Sequence, residues 1–135
     1  MTRYLLLKHY RGGRPSLNDV PAESWGPGEW EAHVAYMRAL ADRLRATGEC
    51  LDVTALGPGG VWVRYDGQGR PAVTEGPFDE AKTLVAGWMM IEVGSYERAL
   101  EIAAELSAAP GAGGRPLSEW LELRPVMGSR PEDSC

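Results

Sequence analysis

The chain is short of the side chains that carry most protein chemistry. Its 135 residues include two histidines, two cysteines and two lysines. The cysteines are Cys50 and Cys135, the second being the last residue. A disulfide framework is therefore not expected, and a reducing, cytoplasmic setting is. No CxxC, HExxH, P-loop or GxSxG motif occurs. His9 and His33 are the only imidazoles, and no local carboxylate spacing completes a three-ligand set, so no metal site and no cofactor are expected. No apolar run approaches the roughly 20 residues that span a bilayer. The apolar stretch after Met1 is too short for a signal peptide, and no small-residue cleavage site follows it. Basic side chains number 14 against 19 acidic ones, for a net charge of −5 without a basic stripe, which argues against a nucleic-acid partner. What is present is ordinary globular material, 44% hydrophobic and 24% charged, of a length that suits one domain over 1–127, with 128–135 as a flexible tail.

Glycine and proline together number 27 and cluster between periodic segments, where they read as loops. A first strand is expected over 3–10, then a Gly/Pro-rich connection over 11–28. Trp30, Val34, Met37, Ala41 and Leu44 recur at helical spacing within 29–47, and Gly48 is a natural stop. A strand over 50–56 follows. Segments 61–65 and 70–74 flank Asp66-Gly67-Gln68-Gly69, a hairpin signature. After a loop over 75–83 come an apolar strand, 84–93, and a helix, 96–109, which Ser95 can cap. Its expected inner stripe is Tyr96, Ala99, Leu100, Ala103 and Leu106, with Glu97, Glu101 and Glu105 as an outer ridge. A strand over 118–126 closes the chain. This order is α+β, a ferredoxin-like βαββαβ pattern with an inserted β-hairpin.

Two helices cover one face of such a sheet and leave the other open. Alternation assigns Leu5 and Leu7 to the helix side and Tyr4, Leu6, Lys8 and Tyr10 to the open side. On 84–93 it sends Gly87, Met89, Ile91 and Val93 to the helices and Trp88, Met90 and Glu92 away. On the last strand, Leu121 and Leu123 face the helices, and Trp120, Glu122 and Arg124 point outward. An open face mixing aromatics with charge is too apolar for water, so a homodimer covering it is expected. The charges then either pair across the interface or line a ligand pocket, with Trp88 and Trp120 as possible apolar walls.

The run Val73-Thr74-Glu75-Gly76-Pro77-Phe78-Asp79-Glu80-Ala81-Lys82, followed by Gly87 in an apolar strand, is distinctive. With Leu121-Glu122-Leu123-Arg124-Pro125-Val126-Met127, Tyr4-Leu5-Leu6-Leu7 and a helix ending before Gly48, it resembles the DGPF branch of the YCII-related superfamily across nearly the whole chain. The tetrad's first acid is Glu75 here rather than Asp. The resemblance implies a ferredoxin-like protomer and a dimer of the dimeric α/β-barrel type. It also implies a small-molecule protein. A few relatives are lyase-like enzymes that act on chlorinated aromatics, and many members are encoded beside extracytoplasmic-function sigma factors. In YCII relatives a first-helix His is proposed to work with an Asp.

His33 matches that position and falls inside the apolar stripe of its helix, where an imidazole pKa can move into a catalytic range. Asp79 is the expected orienting partner, with Glu75 and Glu80 as further carboxylates. Lys82 and Arg124 are candidates to bind an anionic oxygen, each balanced by a plainer reading as a solvated or ion-paired side chain. Trp88, Glu92 and Trp120 complete the candidate substrate-binding set. The expected function is a cofactor-free acid–base enzyme of lyase or isomerase type using His33. The alternatives are a non-catalytic ligand-binding or regulatory module acting with a sigma factor and, on fold analogy alone, a cofactor-free oxygenase.

Overall fold

The computed structural model describes residues 1–9, 15–57, 59–69, 72–76 and 85–128. Within them the chain runs β1 (Thr2–His9), α1 (Pro27–Ala46), β2 (Cys50–Ala55), β3 (Trp62–Arg64), β4 (Val73–Glu75), β5 (Val85–Val93), α2 (Tyr96–Ser107) and β6 (Glu122–Pro125). Four strands form an antiparallel sheet in the order β2-β5-β1-β6, and β3 pairs with β4 as a separate two-stranded sheet. The protein is thus α+β, with two α-helices among the described residues and antiparallel sheets, compatible with a ferredoxin-like fold.

The helix termini follow the local sequence. Pro27 occupies the first turn of α1, where its missing N–H costs nothing. Glu29 sits in that turn and Arg43 and Arg45 in the last, complementing the helix dipole. Gly48 ends the helix at a positive φ of 81°. Ser95 caps α2, its Oγ accepting the Arg98 N–H at 3.1 Å. Across the two layers, Arg98 grips Glu49 at 2.8 and 3.0 Å and also bonds Glu101. That grip holds the Glu49 carboxyl below its usual range.

Strand pairing corrects the expected faces of β1. Leu6 lies opposite Met89, Tyr4 opposite Ile91 and Lys8 opposite Gly87. Met89, Ile91 and Val93 are buried with Leu40 and Leu44 of α1 and with Ala99, Ile102 and Leu106 of α2. The helix-covered face of β1 is therefore Tyr4, Leu6 and Lys8, while Leu5 and Leu7 lie on the open face. Both rows of β1 are apolar, so alternation alone could not orient the strand; the register with β5 does. In α2, Ile102 takes the inner place expected of Tyr96 and Leu100, which are both exposed. The ends of α1's stripe also differ. Leu40, Ala41 and Leu44 are buried, but Trp30 and Val34 remain exposed.

The strand expected over 118–126 is shorter because residues 117–119 lie against α2 instead. The Leu117 and Ser118 N–H groups donate to the Ala109 and Ser107 carbonyls at 2.9 Å each. Ser107 Oγ donates to the Glu119 carbonyl at 2.6 Å. Ser118 adopts a left-handed φ of 51° to make this turn, an uncommon conformation for a residue with a side chain.

Candidate functional site

His33 is positioned by three elements. The first half of α1 carries it, a half-buried Trp25 meets its ring edge-on at 5.4 Å, and Trp30 does so at 6.3 Å. Nδ1 stands 3.0 Å from the Pro110 carbonyl. That carbonyl can only accept, so Nδ1 carries the proton and Nε2 keeps its lone pair. The loops around this pair are fastened to one another. Asn18 is buried, and its Nδ2 donates to the carbonyls of Ala112 and Arg115 at 3.1 and 3.2 Å. Trp25 Nε1 donates to Val20 O at 3.1 Å.

Lys8 reaches the same region from the end of β1. Its covered-face neighbour across the strand pair is Gly87, which presents no side chain. Gly87 is required on other grounds too: an added Cβ would stand 2.5 Å from the Thr54 carbonyl of β2. Lys8 Nζ lies 3.3 Å from Glu119 Oε1, and their side chains are 29% and 11% exposed. Burial lowers the His33 pKa below the ordinary 6.5, and the Lys8 charge lowers it further. The Pro110 bond and the Glu119 charge oppose them and are outweighed. The arrangement is a neutral imidazole with a fixed tautomer, beside a cation and a carboxylate largely withdrawn from water.

The other expected site residues fall elsewhere. Trp88, Glu92 and Arg124 lie on the open face of the sheet, across the strands from His33, so a single chain does not bring them to it. There Arg3 Nε bonds Glu92 at 2.8 Å, and His9 Nε2 stands 3.0 Å from Glu122. Arg124 Nε lies 3.9 Å from the same carboxylate. Trp88 Nε1 donates to Asp52 at 2.9 Å. Leu5, Leu7 and Met90 fill the middle of this face, all half-buried. Trp120 is not on that face; it lines a groove beside α2.

Glu75 is exposed on β4, opposite Trp62. Next to it, Gly76 adopts a φ of 132°, and a Cβ there would stand 2.9 Å from the Gly60 carbonyl, so the motif glycine serves the close approach of two chain segments. Asp79, Glu80 and Lys82, like Tyr10 and Cys135, lie outside the described residues.

Sequence reasoning missed Lys8 and Glu119 as neighbours of His33. Alternation places Lys8 on the open face of β1, where the register with β5 does not, and Glu119 falls inside the strand expected over 118–126. Among the described residues no group of three His, Cys, Asp or Glu side chains is placed to hold a metal ion, and no helix is long and apolar enough to cross a membrane.

No curated protein matches the chain. The family model described as YCII-related domain matches residues 4–120, the span holding both halves of this site, and the chain belongs to the YCII-related family.

Proposed function

We propose that the protein is a cofactor-free acid–base enzyme of the lyase or isomerase type, with His33 Nε2 as the base. The observation that carries this reading is the 3.0 Å contact of His33 Nδ1 with the Pro110 carbonyl. It fixes the tautomer that leaves Nε2 able to accept a proton, and burial keeps the ring neutral. Lys8 supports the reading as a nearby cation that stabilises the anion formed when a carbon acid loses its proton. Lys82 stays in this reading as a candidate second ligand for that anion, and Asp79 as a further carboxylate of the site, because Pro110 already holds Nδ1 in the orienting place expected of Asp79.

In the same reading the protomer is ferredoxin-like, with β3–β4 as an inserted hairpin. Two copies pair through the open sheet face in a dimeric α/β-barrel of the DGPF type. Trp88, Glu92 and Arg124 then belong to the interface. The half-buried Leu5, Leu7 and Met90 support this, since they form an apolar centre ringed by paired charges. Leu7→Glu is expected to convert a dimer to a folded monomer in light scattering; a native protein that is already monomeric would remove the dimer from the proposal.

The catalytic reading is tested by deuterium uptake from D2O into the acidic C–H positions of a panel of small oxo- and hydroxy-acids. The wild type is expected to label at least one compound, and His33→Gln to lower the rate by about 100-fold, as for loss of a general base. Equal labelling by both proteins would overturn the role of His33.

One observation favours a second reading, a non-catalytic ligand-binding module of the kind that acts with a sigma factor. The two indoles and the Pro110 bond also describe a histidine packed for structure. Under that reading His33→Gln lowers stability and leaves labelling absent throughout.

A further inference from the structure

We propose that Asn18 is a positioning residue for His33: by holding the 110–117 loop it aims the Pro110 carbonyl at Nδ1 and so keeps Nε2 bare. The two ends of one peptide carry the argument. Pro110 O accepts from His33 Nδ1 at 3.0 Å. The N–H of the same peptide, that of Gly111, donates to the Arg115 carbonyl at 2.8 Å. A trans peptide is planar, with its C=O and N–H pointing in opposite directions, so fixing one end fixes the other. Arg115 O in turn accepts from Asn18 Nδ2 at 3.2 Å. Two hydrogen bonds through one carbonyl thus link Asn18 to the peptide that sets the tautomer.

Asn18 closes the rest of the loop as well. Its Nδ2 also donates to Ala112 O at 3.1 Å, and its backbone N–H to Leu117 O at 3.1 Å. The Leu117 N–H returns to Ala109 O at 2.9 Å, and Pro110 bridges Pro116, so the loop is tied on both sides of the Pro110–Gly111 peptide. Gly111 permits this closure: a Cβ there would stand 2.6 Å from Leu117 Cδ2 and 3.0 Å from Trp25 Cζ2. Trp25 is the indole that meets the His33 ring edge-on. Peptide, indole and imidazole are therefore packed as one unit.

The chemistry of Asn18 points to aim rather than to bulk. Two carbonyls face Nδ2, which fixes the orientation of the amide, since the reverse would set oxygen against oxygen. Both carbonyls already accept a backbone N–H, from Arg115 and from Gly111, so Nδ2 is not needed to satisfy them. Oδ1 is buried without a partner among the described residues, at a cost that an apolar side chain of the same size would avoid. An unpaired buried acceptor of this kind calls for a reason, and the aim of the Pro110 carbonyl supplies one. The inference rests on the catalytic reading for its purpose, because a fixed tautomer serves a base, but not for its test.

The test is the nitrogen-15 spectrum of the neutral His33 ring, read together with hydrogen exchange at the Gly111 amide. In the native protein the ring is expected to be protonated at Nδ1, and the Gly111 amide to exchange far more slowly than exposed amides. Asn18→Ala is expected to keep the fold, to speed Gly111 exchange by about tenfold, as for the loss of one hydrogen bond, and to turn the single tautomer into a mixture. Should Asn18→Ala fail to fold, Asn18→Ser, which offers one donor to the two carbonyls, is read in its place. Val93→Ala opens a cavity at the end of β5 away from Gly87 and is expected to lower stability while leaving both readings at their native values. A merely structural Asn18 would make its variant behave like Val93→Ala. Deuterium labelling is expected to fall by about tenfold in Asn18→Ala, less than on loss of the base itself. A single Nδ1-protonated tautomer in the Asn18 variant, or fast Gly111 exchange in the native protein, would overturn the positioning role. If labelling depends on His33 while the tautomer ignores Asn18, only the positioning role fails. If the tautomer follows Asn18 and no protein labels any compound, only the catalytic reading fails.

Discussion

The two faces of the main sheet solve different problems with similar residues. On the covered face, Leu6, Met89, Ile91 and Val93 are fully buried beneath both helices. Its charged feature, Lys8 with Glu119, sits beside a neutral His33. On the open face, Leu5, Leu7, Trp88 and Met90 are only half-buried, and charges are spread around them in short pairs. A charge on the first face must be compensated locally, because little water reaches it; charges on the second retain solvent or await a partner surface. The difference teaches where chemistry can be tuned. Among the described residues, the covered face combines desolvation with a fixed hydrogen-bond partner for a titrating group, His33.

The largest expected effect breaks the covered face. Ile91→Ala removes a fully buried side chain and is expected to lower unfolding free energy by about 3 kcal/mol, whereas Leu7→Ala on the other face costs about 1 kcal/mol or less in the monomer. Denaturant titration of both variants checks the contrast, and equal losses would mean that the faces are equivalent.

Lys8→Met comes next. It leaves the shielded Glu119 carboxylate without its cation and is expected to cost about 2 kcal/mol, less than a fully buried pair because Lys8 keeps some exposure. The same substitution is expected to raise the His33 pKa, since the Lys8 charge helps to lower it. Heteronuclear titration of the variant reads this second effect apart from stability.

Stability should also fall on acidification, in two windows. His33 has a folded pKa below 6.5, so between those values the unfolded chain binds the extra proton. Its contribution is therefore complete above about pH 6.5 and declines as pH drops toward the folded value. Glu49, held below 4.5 by Arg98, contributes above its unfolded value and loses that contribution as pH falls through its folded one. Denaturant midpoints across pH 3–8 are expected to step down in both windows, and Glu49→Gln to remove the lower step.

The smallest effect belongs to the open face. Arg3→Ala breaks an exposed ion pair with Glu92 and is expected to change monomer stability by less than about 1 kcal/mol, in a manner screened by salt.

Much of this architecture was legible in the sequence because helix periodicity, caps and glycine stops are local signals. The Ser95 cap, the Gly48 stop and the β5 row of Met89, Ile91 and Val93 are local in that sense. The face of β1 was not legible, because Tyr4-Leu5-Leu6-Leu7 is apolar on both rows and only pairing with β5 decides between them. His33 could be found from its place in a helical stripe. Its hydrogen-bond partner could not, since Pro110 is distant in sequence and meets it only through loop packing, and neither could the electrostatic influence of Glu119. Nothing local announces the left-handed turn at Ser118 that carries Glu119 to α2 instead of into a longer strand. The motif glycine, by contrast, shows its reason once folded, in the close approach of Gly76 to Gly60.

The most direct test is the nitrogen-15 titration of the His33 imidazole in the native protein. The expected result is a neutral ring protonated at Nδ1, with Nε2 bare, and a midpoint below 6.5. A ring protonated at Nε2, or a midpoint above 6.5, would contradict the assignment of His33 as the base on the covered face.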